Sequence, residues 1–162
     1  MIATGGLILL GALLPALSSA SPIVAAGSKH NVYLVKCQWS DCDIFCDPDD
    51  VALTAAAYFS GGPVPEGTTR AVTPTRLGRV SGQWEGTTKS VRLGTDGTFK
   101  ATIPTSARTA KKGEIVGDAT LGDEPFVCFK DGSSQIPLRY DGETYTCTTD
   151  YWCPSISVGE TA

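Results

Sequence analysis

The chain has 162 residues, 41% hydrophobic and 19% charged, with 18 Gly, 10 Pro and 6 Cys. That balance excludes the disordered, collagen-like and low-complexity classes and points to a compact chain with one domain. Its formal net charge is −4, and every charged residue lies at or beyond Lys29; without clustered Lys and Arg there is no footprint for a phosphate backbone, so nucleic acid is not an expected partner.

The first segment, Gly5 to Leu17, is apolar and ends in small residues, with Ser18 and Ala20 at the −3 and −1 positions of a cleavage site before Ser21. This pattern predicts a secretory signal peptide over 1–20 and a single extracellular domain over 21–162. Val24 and Ala26 offer a second site, before Gly27. Pro15, Ser18 and Ser19 interrupt the run before the roughly 20 apolar residues that a spanning helix needs, so no membrane span is expected in the mature chain.

Asn31 to Val35 (NVYLV) is apolar and β-branched and predicts a strand buried on both faces. Asp41 to Asp50 holds five aspartates and one proline and predicts a tight loop. Val51 to Phe59 carries two signals. Asp47 and Pro48 could open a helix, yet Val51, Leu53, Ala55, Ala57 and Phe59 alternate, and we read a strand.

Gly61 to Val80, rich in Gly, Pro and Thr, predicts a long loop with one short edge strand, and long loops in compact domains often carry function. Val91 and Leu93, then Phe99, Ala101 and Ile103, alternate around Asp96-Gly97 and predict a hairpin. Ile115 to Leu121 alternates as well, Gly122-Asp123 leads into Phe126, and Asp131-Gly132 and Asp141-Gly142 predict further turns before the segment Tyr145 to Cys153. No helix is convincing. The sum is an all-β fold, a disulfide-stapled antiparallel β-sandwich or barrel of about seven to nine short strands.

The six cysteines form two groups, Cys37, Cys42 and Cys46, then Cys128, Cys147 and Cys153. An even count in an exported chain predicts a disulfide framework, and fifteen pairings are possible. Three cysteines cannot all pair among themselves, so a complete pairing sends at least one bond from the first group to the last. Zinc ligation is the weaker reading, because neither group has the C-x2-C spacing of zinc sites. No metal and no cofactor is expected.

Candidate chemistry is sparse. The single histidine, His30, cannot build a multi-histidine metal centre, and no Gly-x-Ser-x-Gly elbow supplies a nucleophile, so we read His30 as a strand-edge residue. Paired carboxylates among Glu66, Glu85, Glu114, Glu124, Asp118 and Asp123 could serve a glycosidase, but none is singled out. The Asp41 to Asp50 carboxylates do not follow the spacing of a calcium loop. Candidate binding residues are the aromatics Trp84, Tyr151 and Trp152, with Trp39 and Tyr145 beside them, as a platform for sugar rings or a protein interface; core packing is the simpler account. Tyr151 and Trp152 are adjacent on a strand and face opposite ways.

With the phrases HNVYLVKC, GDEPFVCFKDG and CTTDYWCPS in a small acidic body, the chain resembles the small secreted cysteine-containing proteins of filamentous fungi, some of which are effectors at a host surface. The resemblance implies a secreted, effector-like interaction protein with an extracellular protein or glycan as partner. A carbohydrate-active enzyme or carbohydrate-binding module is the alternative, and a structural wall or matrix protein a third. An enzyme is the less favoured reading.

Overall fold

The computed structural model describes residues 28–40 and 52–157. The predicted leader, the aspartate-rich loop with Cys42 and Cys46, and the end of the C-terminal tail lie outside the described residues. Within them are eight strands: β1 (Asn31–Trp39), β2 (Ala52–Phe59), β3 (Arg76–Val80), β4 (Lys89–Arg92), β5 (Thr98–Thr102), β6 (Ile115–Leu121), β7 (Glu124–Tyr140) and β8 (Glu143–Pro154). Two short 3-10 turns, Gly94–Asp96 and Thr105–Thr109, are the only helical pieces among the described residues. The ambiguous segment therefore resolves as strand over its described part, Ala52–Phe59.

All pairings are antiparallel, in one sheet of order β3-β2-β1-β8-β7-β6-β5-β4. The sheet curls into an open barrel. Its two edge strands, β3 and β4, meet without backbone pairing, and a Cβ at Gly78 would stand 2.5 Å from Val91 Cγ2 and 3.3 Å from the Arg92 carbonyl oxygen. Arg76 bridges this seam to Asp96 at 2.9 Å. The seam is thus packed and ion-paired, which leaves no free edge wide enough to recruit another strand.

Period-two alternation gives the sheet two apolar faces and hence two cores. The barrel interior holds Val32, Leu34, Tyr58, Trp84, Phe99, Phe126 and Tyr151. The opposite face of β1, β2, β8 and the distal half of β7 holds Tyr33, Val35, Leu53, Ile136, Leu138 and Tyr145. Asn31 to Val35 is buried on both faces because β1 contributes to both cores.

The stretch before β3 covers the outer core. Val64 and Val72 pack on it, the Val64 N–H donates to Tyr33 Oη at 2.9 Å, and Val72 exchanges backbone hydrogen bonds with Pro137 and Arg139 at 2.9 Å each. The long loop expected to present a partner surface is a lid tied to the sheet, and the expected short edge strand is β3.

Each core holds one disulfide. Cys37 and Cys147 lie directly opposite on β1 and β8 in the outer core, separated by 110 residues in sequence. Cys128 and Cys153 link β7 to β8 in the interior, with a separation of 25. The first satisfies the parity argument by joining the two cysteine groups.

Turn chemistry decides the connections. Asp141 and Gly142, with φ of 52° and 84°, form the two-residue link between β7 and β8 expected of an Asp-Gly hairpin. Asp131-Gly132 does not turn the chain. It sits in a bulge between Lys130 and Ser134 where Gly132 and Ser133 take φ of 86° and 82°, and Asp131 Oδ1 accepts the Ser134 N–H at 2.8 Å. One 17-residue strand therefore stands where the sequence suggested two.

Candidate functional site

The inner face of β1, β2, β7 and β8 changes character along its length. At one end Leu34, Ala56 and Tyr151 close the apolar interior. β1 next meets β8 across a bulge, Leu34 opposite Tyr151 and Val35 opposite Thr149, with Asp150 as the extra residue. The bulge re-aims the β8 side chains, as bulges near sites commonly do. Beyond it the same face is polar and exposed.

At the transition lies a ring of charged groups. The loop after β3 is pinned just beyond β5 by the Gly86 N–H donating to the Ile103 carbonyl at 2.8 Å, which drops Trp84 into the interior and sets Glu85 at the barrel mouth. Tyr151 Oη donates to Glu85 Oε1 at 2.6 Å. Arg108, from the 3-10 turn before β6, places Nε 3.7 Å from Glu85 Oε2. Lys130 Nζ lies 4.5 Å over the Tyr151 ring, and Lys36 Nζ is 2.8 Å from Asp150 Oδ2.

Burial pushes the Glu85 carboxyl up, but the Tyr151 hydrogen bond, its own backbone N–H and the Lys36 and Arg108 charges outweigh it, so its pKa falls below the ordinary value. Tyr151 is held well above the ordinary phenol value, first by burial and then by the hydrogen bond and charge of Glu85. At neutral pH the pair is a carboxylate accepting from a neutral phenol. Both oxygens of Glu85 are engaged, which suits a fixed floor rather than a proton-transfer group.

Beyond this pair, along the inner face of the same strands, opens a concavity of about 490 Å³ lined by Lys36, Cys37, Gln38, Ala52, Leu53, Thr54, Gln135, Thr146 and Thr148. The strand register arranges the inward-facing residues in rows. Thr54, Lys36, Thr148 and Gln135 are successive partners across four strands, and Ala52, Gln38, Thr146 and Pro137 form the next row. The outward residues between them, Leu53, Cys37, Cys147 and Ile136, are buried in the outer core. The trough thus has a rigid back.

The sequence-selected residues fall elsewhere. Trp84 is fully buried, and its Nε1 has no hydrogen-bond partner among the described residues. Tyr151 is fully buried under the trough. Trp152 faces the outer core, donates to Asn31 Oδ1 at 3.0 Å and lies 5.8 Å from the Phe129 ring. The three do not share a surface, so the aromatic platform does not form. Opposite orientation of Tyr151 and Trp152 matches strand alternation.

His30 Nδ1 is 2.8 Å from Glu124 Oε2, and Ser155 Oγ donates to Glu124 Oε1 at 2.5 Å. The carboxylate stands between the histidine and the serine, the reverse of a nucleophile activated by an imidazole. This cluster ties the start of β1 to the start of β7 and the end of β8. Among the described residues no group of three or more His, Cys, Asp or Glu side chains is placed to hold a metal ion, and no helix is long and apolar enough to cross a membrane.

Sequence reasoning missed the trough residues. Their only signal is the polar phase of the alternation in β1, β2 and β8, which also describes any solvent-facing strand side. No family model, curated protein or solved structure matches this chain.

Proposed function

We propose that the protein is an exported, disulfide-stabilised interaction protein, effector-like, that offers the trough at its barrel mouth to a host or cell-wall partner. One observation carries this reading: the sheet that backs the trough is sealed by an apolar core on its far side, while its near side is polar and, among the described residues, open. The even cysteine count, the leader sequence and the two cross-strand bridges support export, since disulfides persist in oxidising compartments. A pre-ordered face loses little entropy on association.

The test is isotope-edited NMR on the secreted protein, titrated with extracellular polypeptide and glycan fractions. Expected are saturable shifts at Gln38, Thr54, Gln135 and Thr148. Shifts confined to the lid between β2 and β3, or no shifts with any fraction, overturn the reading. Export predicts a mature N-terminus at Ser21 and a mass six hydrogens below the reduced value.

A further inference from the structure

We infer that the trough is a saccharide site that takes two or three pyranose units of an uncharged glycan. This rests on the reading of the trough as the binding face and names the chemistry that fits it. Its floor is a row of four hydrogen-bonding side chains, Thr54, Lys36, Thr148 and Gln135, on neighbouring strands. Strand spacing sets them about 4.8 Å apart and makes the row roughly 14 Å long. That repeat is near the advance per ring of a linear pyranose chain, so a row of this length spans about three rings, each within reach of one or two of the four side chains.

The lining selects the ligand class. Amide and hydroxyl groups both donate and accept, as sugar hydroxyls do. The side chains of Gln38, Thr54, Gln135 and Thr148 make no hydrogen bond among the described residues, while Thr146 Oγ1 is 3.0 Å from Ser40 Oγ. Among the described residues Lys36 is the single charged member of the lining, and Asp150 offsets it at 2.8 Å, which disfavours a phosphorylated or polyanionic ligand. Among the described residues no aromatic or arginine side chain lines the trough, so it lacks the anchors that dominate protein interfaces, and a sugar ring here is held by hydrogen bonds rather than by aromatic stacking. Ala52 and the methyl groups of the threonines supply small apolar contacts against ring carbons.

The experiment titrates the intact protein with neutral wall oligosaccharides of two to six units, read by NMR and calorimetry. Expected is saturable binding that gains little beyond three units, with Kd raised about 5–10-fold by Thr148→Val and by Gln135→Ala. Urea midpoints of both variants are measured alongside; both positions are partly open to solvent, so stability is expected to stay within wild-type error. Glycan binding unaffected by either variant overturns the site. If only a polypeptide fraction moves the trough resonances, the saccharide inference falls and the binding reading stands; if nothing moves them, both fall.

Discussion

Replacing Tyr151 with phenylalanine removes one oxygen from the barrel interior and leaves the ring in place under Lys130. Glu85, 9% exposed, then loses the 2.6 Å donor to its Oε1 and keeps its own backbone N–H and the more distant Arg108 at 3.7 Å. An acceptor stranded at this depth costs about 1–3 kcal/mol, and a loss near 2 kcal/mol in a domain of this size lowers Tm by roughly 6–10 °C. The pH dependence gives a sharper signature. Because the Glu85 pKa is lowered in the folded protein, its contribution is complete above the ordinary carboxylate range and is lost as pH falls through the folded value. The variant lacks the hydrogen bond that opposes desolvation, so its folded Glu85 pKa moves back up and less stability remains to be lost in acid. Tyr151 is raised; its contribution is complete below the phenol value of about 10 and is lost as pH climbs beyond. The variant therefore starts from a lower plateau at neutral pH and shows a flatter acid limb and a flatter alkaline one. Urea unfolding followed by tryptophan fluorescence between about pH 3 and 11 reads both limbs, and a cycle with Glu85→Gln isolates a coupling of about 0.5–3 kcal/mol. A Tyr151→Phe protein within 0.5 kcal/mol of wild type at pH 7, with superimposable limbs, would refute the assignment of Glu85 and Tyr151 as a fixed pair.

Three further outcomes are expected. Gly117→Ala drives a methyl group onto the Thr102 carbonyl oxygen across the β5–β6 pair and should cost about 2–4 kcal/mol in urea unfolding, whereas Gly61→Ala meets nothing within 4 Å and should be nearly neutral. Loss of the Cys37–Cys147 bridge, which spans 110 residues, should cost about 4–5 kcal/mol in the chain-entropy model, against about 3–4 for the 25-residue Cys128–Cys153 bridge; an equal or reversed order in serine variants would contradict it. Burial, partly opposed by the Val64 N–H, pushes the Tyr33 phenol up to about 12, so phenolate absorbance should lag behind that of the unfolded chain above about pH 10. Its stabilising contribution is lost as pH rises through that window, and a Tyr33→Phe variant should lose less stability there.

The hairpin β4–β5 and strand β6 were readable because one core face imposes strict alternation on short strands. Asn31 to Val35 was readable for the opposite reason, since two cores erase the alternation. The three Asp-Gly pairs show where local chemistry stops deciding. Asp141-Gly142 turns the chain, Asp96-Gly97 ends a longer link, and Asp131-Gly132 makes a bulge. All three use the same tolerance for positive φ, and only the pairing of β8 with both halves of β7 separates a bulge from a turn. Trp84 stood among the candidate binding residues and lies between the polar Gln83 and Glu85; Glu85 in fact faces the interior through Tyr151, so a polar neighbour is part of the buried arrangement. The trough was illegible for a related reason. Alternation tells which side of a strand is polar, and curvature, which it does not encode, turns that side into a concavity.

The pairing of β1 with β8 has a consequence for how the chain must be made. β1 is the first described strand to leave the ribosome, and its central neighbour is the last. At about 5–20 residues per second, the Val32 to Val35 segment waits roughly 5–20 s for residues 143–154. During that interval it has only β2 to cover one edge, and neither apolar layer can close. Neither apolar layer has its central strand until β8 is available, so a chain truncated before Glu143 should be cleared rather than accumulate.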